Sequence, residues 1–108
     1  MKNLDNFEVI NLIDTYGSLL TSRQYEILTS YYFDNLSFSE IGENYNISRQ
    51  AISDSLHQSI KALESYEEKL NVVNKTSNII CKLTTLMESL DDASIKESLS
   101  QIIEDLRG

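Results

Sequence analysis

Apolar residues recur along this chain in steps of three and four almost from end to end, with no stretch of strict alternation. That period predicts helices and no strands. Phe7, Ile10, Ile13 and Tyr16 form one face of a first helix over about residues 5–16. Gly17 follows directly and reads as its stop, because glycine tolerates positive φ. The second helix starts at Thr21. Thr21 and Gln24 form a T-x-x-Q capping box, with Leu20 and Tyr25 placed as the apolar staple around it. Leu28, Tyr31 and Tyr32 carry its apolar face onward until Asp34-Asn35. The Tyr31-Tyr32-Phe33 run keeps this period, so core packing is expected of it rather than base stacking. The third helix repeats the device: Ser37 and Glu40 read S-x-x-E, stapled by Leu36 and Ile41. It is short and ends at Tyr45-Asn46, asparagine being well suited to the left-handed turn conformation.

A fourth helix opens at Ser48, a further N-cap, with Ile47 and Ile52 as its staple. Ile52, Leu56, Ile60, Leu63, Tyr66, Leu70 and Val73 then follow at spacings of three and four. The stripe predicts one helix over residues 48–73, about 39 Å long at 1.5 Å per residue. A helix of that length outruns an ordinary three-helix core, and its far half needs another partner. Ile79, Ile80, Leu83, Leu86, Met87 and Leu90 make a fifth apolar face. Asp91-Asp92 interrupts, and either residue can cap a sixth helix whose face is Ile95, Leu99, Ile102, Ile103 and Leu106. The last two helices form a short hairpin.

Residues 36–56 carry the pattern with functional content. Ile41 is buried, and Gly42 beside it is the small residue that a close helix crossing needs. Four positions on, Asn46 suits the turn. Ile47 plugs the core, Ser48 caps the second helix of the pair, and Ile52 is its first anchor. This is helix-turn-helix spacing.

Composition changes that picture in one respect. The 108 residues include no proline and three glycines, which permits long helices. The lone cysteine, Cys81, lies in an apolar run and reads as a small buried hydrophobe. No apolar signal region follows Met1, and nothing approaches a membrane span of roughly 18 apolar residues, so a cytoplasmic protein is expected. The formal charge, however, is −8. It is spread as −2 over residues 1–16 (one Lys against three acids), −3 over 17–65 (three basic against six) and −3 over 66–108 (five against eight). No basic segment is concealed, so non-specific attraction to phosphates is weak.

The stretch "LLTSRQYEILTSYYFDNLSFSEIGENYNISRQAISDSLHQSIKALE", residues 19–64, resembles region 4 of the bacterial sigma factors. The shared features are Leu20-Thr21-x-Arg23-Gln24, the Ser37–Gly42 helix start, the Asn46–Ile52 helix start, and the trailing Ile60 and Leu63. Over its full length the chain also resembles the YlxM-like helix-turn-helix proteins of low-G+C Gram-positive bacteria and mollicutes. Those are small and acidic, with a sigma-region-4-like part and a helical extension. The resemblance implies an all-α fold: a sigma region 4-like helix-turn-helix domain over residues 1–66, then a C-terminal extension over 67–108, continuous with the long fourth helix. It also implies DNA binding and transcription regulation, and a link to the signal recognition particle pathway, whose genes neighbour those of the family.

In the sigma-like arrangement the second helix of the motif enters the major groove. Its exposed positions are Arg49, Gln50, Ser53, Asp54 and His57. Arg49 suits phosphate or a guanine edge, Gln50 suits adenine, and Asp54 accepts from a cytosine amine but faces phosphates badly. Ala51, Ser53 and Asp54 stand where sigma-type helices usually carry basic residues. Arg23 is placed to meet phosphate, and Ser37 and Ser39 offer a mild anion site at a helix start. Arg49 and Gln50 read first as nucleic-acid contacts, with an ordinary exposed helix start as the alternative, and His57 reads as a surface histidine. The Glu67-Glu68 and Asp91-Asp92 pairs read as solvated surface and caps. No nucleophile–base pair, phosphate-binding glycine loop or metal-ligand cluster is patterned here, so no enzyme, cofactor or metal is expected. Two functions compete: a DNA-binding regulator, or an acidic adaptor that docks a basic protein on the same scaffold without DNA. The surplus apolar face of the fourth helix and hairpin is shared between two copies in a homodimer, or is closed within one chain.

Overall fold

The computed structural model describes residues 4–108, and within them every regular element is helical. The elements are α1 (Asn6–Tyr16), a 3₁₀ turn (Gly17–Leu19), α2 (Ser22–Tyr32), α3 (Phe38–Tyr45), α4 (Arg49–Leu70), α5 (Val72–Glu88) and α6 (Ala93–Arg107). The chain divides into two compact units, residues 1–70 and 71–108.

The helix starts form by the side-chain chemistry that the spacing predicts. Thr21 Oγ1 accepts from the Gln24 amide at 3.2 Å, and Gln24 Oε1 accepts from the Thr21 amide at 3.1 Å. Ser37 and Glu40 make the same reciprocal pair, each bond at 3.1 Å. Asp5 caps α1 and Asp92 caps α6. Three asparagines, Asn35, Asn46 and Asn71, take the left-handed conformation at φ 55–57°. In a chain so poor in glycine, asparagine turns the backbone after α2, α3 and α4.

In the first unit α4 is the central element, packed against α1, α2 and α3. Ile52, Leu56, Ser59 and Leu63 are its buried face. Val9, Leu12, Ile13 and Tyr16 come down on it from α1, Ile27 and Leu28 from α2, and Ile41 from α3. Tyr16 packs on Tyr66 with ring centroids 6.1 Å apart, and its hydroxyl donates to Glu67.

Several local expectations are corrected. The buried face of α1 centres on Val9 and Leu12, which leaves Phe7 72% exposed. Gly17 does not stop α1 by a positive φ. It is right-handed at φ −56°, and a Cβ there would lie 2.8 Å from the Tyr25 ring, so close packing is what asks for glycine. In the aromatic run, Tyr31 and Phe33 are exposed; Tyr31 lies edge-on to Tyr32 and tilted against Phe38. Helix α4 stops at Leu70 rather than 73, because Asn71 turns left-handed. Cys81 is exposed rather than buried.

The second unit is the α5/α6 hairpin, closed by the four residues between Glu88 and Ala93. Its inner seam keeps a three–four alternation. On α5, Thr76, Ile80, Leu83 and Met87 are half-buried, as is Leu90 in the turn that follows. On α6, Leu99 and Leu106 are half-buried and Ile103 is buried.

Candidate nucleic-acid interface

Helices α3 and α4 are joined by Asn46, Ile47 and Ser48, and the geometry of this corner follows from four residues. Asn46 (φ 57°, ψ 45°) turns the chain, and its amide donates to the Gly42 and Glu43 carbonyls. The Ile47 amide donates to the Gly42 carbonyl at 2.9 Å. A Cβ on Gly42 would stand 2.7 Å from the Ile47 carbonyl oxygen, inside any real contact distance. The start of α4 therefore lies directly over Gly42. Ser48 Oγ then accepts from the Ala51 amide at 3.0 Å and opens α4.

This corner presents one face of the first two turns of α4 to solvent. Arg49, Gln50, Asp54 and His57 are exposed, and Ser53 is half-buried. Arg49 makes no hydrogen bond or ion pair among the described residues. It lines a shallow depression between α3 and α4 that also takes in Ser39, Glu43 and Ser48. Ser39 and Arg49, ten positions apart in sequence, thus come to one place, with the Glu43 carboxylate on the same wall. Gln50 Nε2 donates to Asp54 Oδ1 at 2.9 Å, one turn along. That bond uses one of the two Nε2 hydrogens, so the second hydrogen and Oε1 remain for a base edge. His57 Nδ1 lies 2.8 Å from the Ser53 carbonyl oxygen. A carbonyl only accepts, so Nδ1 carries the proton and Nε2 remains as an acceptor on the neutral ring.

The other site residues predicted from sequence lie away from this row. Arg23 donates from Nη2 to the Tyr45 carbonyl at 3.4 Å, with its guanidinium 4.8 Å from the centre of the Tyr45 ring. Tyr45 Oη in turn donates to Glu26 Oε2 at 3.3 Å. Partial burial, and after it the Glu26 carboxylate, push the Tyr45 phenol above its ordinary pKa. Arg23, Tyr45 and Glu26 form a clasp between the start of α2 and the end of α3. Ser37 uses hydroxyl and amide together on Glu40, whose carboxylate occupies the N-terminal end of α3 where an anion was expected. Sequence reasoning did not find Tyr45 or Glu26. Their signal was weak: an i, i+3 spacing of Arg23 and Glu26, and an aromatic just before the turn asparagine.

The fold and corner together define an all-helical protein built around a helix-turn-helix. The family described as "Putative helix-turn-helix protein, YlxM / p13 like" matches residues 4–106, and the chain belongs to that family. It is similar to the UPF0122 protein of Fusobacterium nucleatum, 41% identical over 95% of this chain and 97% of the relative. A UPF0122 protein of Clostridium perfringens is 37% identical over 94% of this chain and 96% of its own. One from Malacoplasma penetrans is 49% identical over 68% of both chains. Among the described residues, no helix is long and apolar enough to cross a membrane, and no group of three or more His, Cys, Asp or Glu is gathered to hold a metal ion.

Proposed function

We propose that this protein is a DNA-binding transcription regulator that reads the major groove with the N-terminal half of α4. The observation that carries the reading is the corner itself. A glycine at the crossing, a left-handed asparagine and a serine cap lift an exposed row off the body of the first unit. In the row, Arg49 is the leading contact, free to meet phosphate or a guanine edge. Gln50 reads adenine with its second N–H and Oε1, and Asp54 accepts from a cytosine amine. Ser53 and the Nε2 acceptor of His57 contribute further along the groove. Ser39 adds a hydroxyl beside Arg49. Arg23 and Ser37 act on DNA mainly by holding α2 and α3 in place, with their outer atoms toward the backbone. The cytoplasm is the compartment this role requires. The family resemblance extends the proposal to the signal recognition particle genes as the regulated region.

The test is selection of fragments from the cognate genome, with the region upstream of those genes included. Wild-type protein should enrich a defined sequence at low salt, and Arg49→Ala/Gln50→Ala should lose that enrichment. If the wild type enriches nothing, DNA reading is wrong.

A second reading is favoured by the charge. With −8 spread over the whole chain and Gln50 already bonded to Asp54, the same scaffold suits an acidic adaptor for a basic protein of the transcription or signal recognition machinery. The adaptor predicts a protein complex that dissolves with salt and no DNA enrichment.

A further inference from the structure

We infer that the C-terminal hairpin is one half of a four-helix bundle completed by a second copy of this chain, with α5 of each copy laid against α6 of the other. The seam between α5 and α6 accounts for only part of the apolar surface on these helices. A second apolar row runs along one flank: Ile79 and Leu86 on α5, Ile95 and Ile102 on α6. Ile79, Leu86 and Ile102 each adjoin a seam residue, the two members of each pair are seven positions apart, and each of the four is between 45% and 48% exposed. A helix that contacts a single partner needs only a narrow seam. Three apolar positions per seven is the wider stripe of a helix buried between two neighbours.

The rows on the two helices are in register. The turn is centred between Leu90 and Asp91, so Ile79 and Ile102 are equally far from it along the chain, as are Leu86 and Ile95. Antiparallel helices with apolar positions at the same place in the repeat show them on the same side. The flank is therefore two apolar layers, not scattered hydrophobes. The opposite flank, by contrast, carries Ser77, Thr84 and Ser100.

Charge at the border of the flank selects the occupant and its orientation. Helical spacing puts Lys75 and Lys82 just outside the α5 row, and Ser98 and Asp105 just outside the α6 row. Asp105 accepts from Gln101 at 3.1 Å, which takes one of its two oxygens. The border is basic on one side and acidic on the other, so the flank is complementary to itself. A two-fold axis parallel to the helices puts α5 on α6 of the second copy, with Lys75 near the level of Asp105 in that copy. An axis across the helices would put α5 on α5 and lysine row against lysine row, which costs energy. Self-complementarity of this kind is what an isologous interface requires.

Sedimentation equilibrium of the full chain at low salt, at tens of micromolar, tests the inference without involving DNA. Wild type should be a dimer. Ile79→Ser/Ile102→Ser should be a monomer with unchanged far-UV helicity. Lys75→Glu, a surface change that leaves the fold intact, should raise the dissociation constant about two- to fivefold, and Lys75→Glu/Asp105→Lys should restore it. A monomeric wild type would mean that the chain covers its own flank, and a dimer that survives the double serine change would place the interface elsewhere. Either result overturns the inference, and so does a charge swap that fails to restore association.

Discussion

Gly42 carries the tightest constraint at the scale of single residues. Its missing side chain leaves room for the Ile47 carbonyl, which is backbone and cannot rotate away. Gly42→Ala should therefore destabilise the first unit by about 1–3 kcal/mol, the usual range for overpacking, read as a lower urea midpoint. Asn46 is the companion case. Asn46→Ala should cost about 1–2 kcal/mol for a left-handed alanine, whereas Asn46→Gly should be close to neutral. A substitution series that reversed this order would contradict the turn geometry. Tyr45 gives a pH prediction. Its phenol is raised above the ordinary value of 10.0, first by burial and then by Glu26. A raised folded pKa favours the neutral form on folding. The clasp's contribution is thus complete below about pH 10 and lost as pH rises through the raised value. Tyr45→Phe should flatten the alkaline limb of the stability profile measured by thermal melts.

At the scale of elements, the short helix α3 is the most dependent on its ends. Its eight residues are fewer than the roughly 12–15 that an isolated helix needs, so the capping box and Ile41 packing must supply the difference. Ser37→Ala should cost about 1 kcal/mol; removing a cap mid-chain this way is a change of melting temperature that calorimetry resolves. The helix starts were legible because a capping box is local: Thr21 with Gln24 and Ser37 with Glu40 involve residues three apart, and nothing distant alters them. The end of α4 was not legible in the same way. The apolar stripe runs on through Leu70 to Val73, and periodicity does not register that Asn71 has changed the sign of φ. Asn35 and Asn46 were read as stops because the stripe breaks there too. Similarly, Phe7 keeps helical spacing with Ile10 and Ile13, but Val9 and Leu12 are the residues that α4 meets. Spacing assigns residues to a face; which of two adjacent faces is covered depends on the neighbour.

At the scale of the whole molecule, the charge of −8 governs how any DNA complex would behave. With Arg49 as the one cation in the exposed row, few phosphates are neutralised. The slope of log affinity against log salt should be shallow, about −1 to −2 per copy at roughly −0.9 for each phosphate. Titration of the selected fragment between low and physiological salt measures it. A slope many times steeper would mean that a basic surface other than α4 is in contact. Two copies joined through their hairpins would add their contacts and offset the small affinity of each.

Helical period, caps, turn asparagine and crossing glycine were written in the sequence alone, because each rests on residues within five positions of one another. The same holds for the all-helical class and for the helix-turn-helix. Tertiary structure decided what those residues do for each other. It tied Gln50 to Asp54, turned Arg23 inward on Tyr45, filled the start of α3 with Glu40, and left Arg49 beside Ser39 as the open end of the row. It also showed that the hairpin covers its seam in part, with Ile103 buried, and exposes its flank. The Arg23–Tyr45 and Arg49–Ser39 placements join groups far apart in the chain, and only packing sets such distances; Gln50–Asp54 and Ser37–Glu40 lie within one helical turn, where spacing permits the bond and the folded helix makes it.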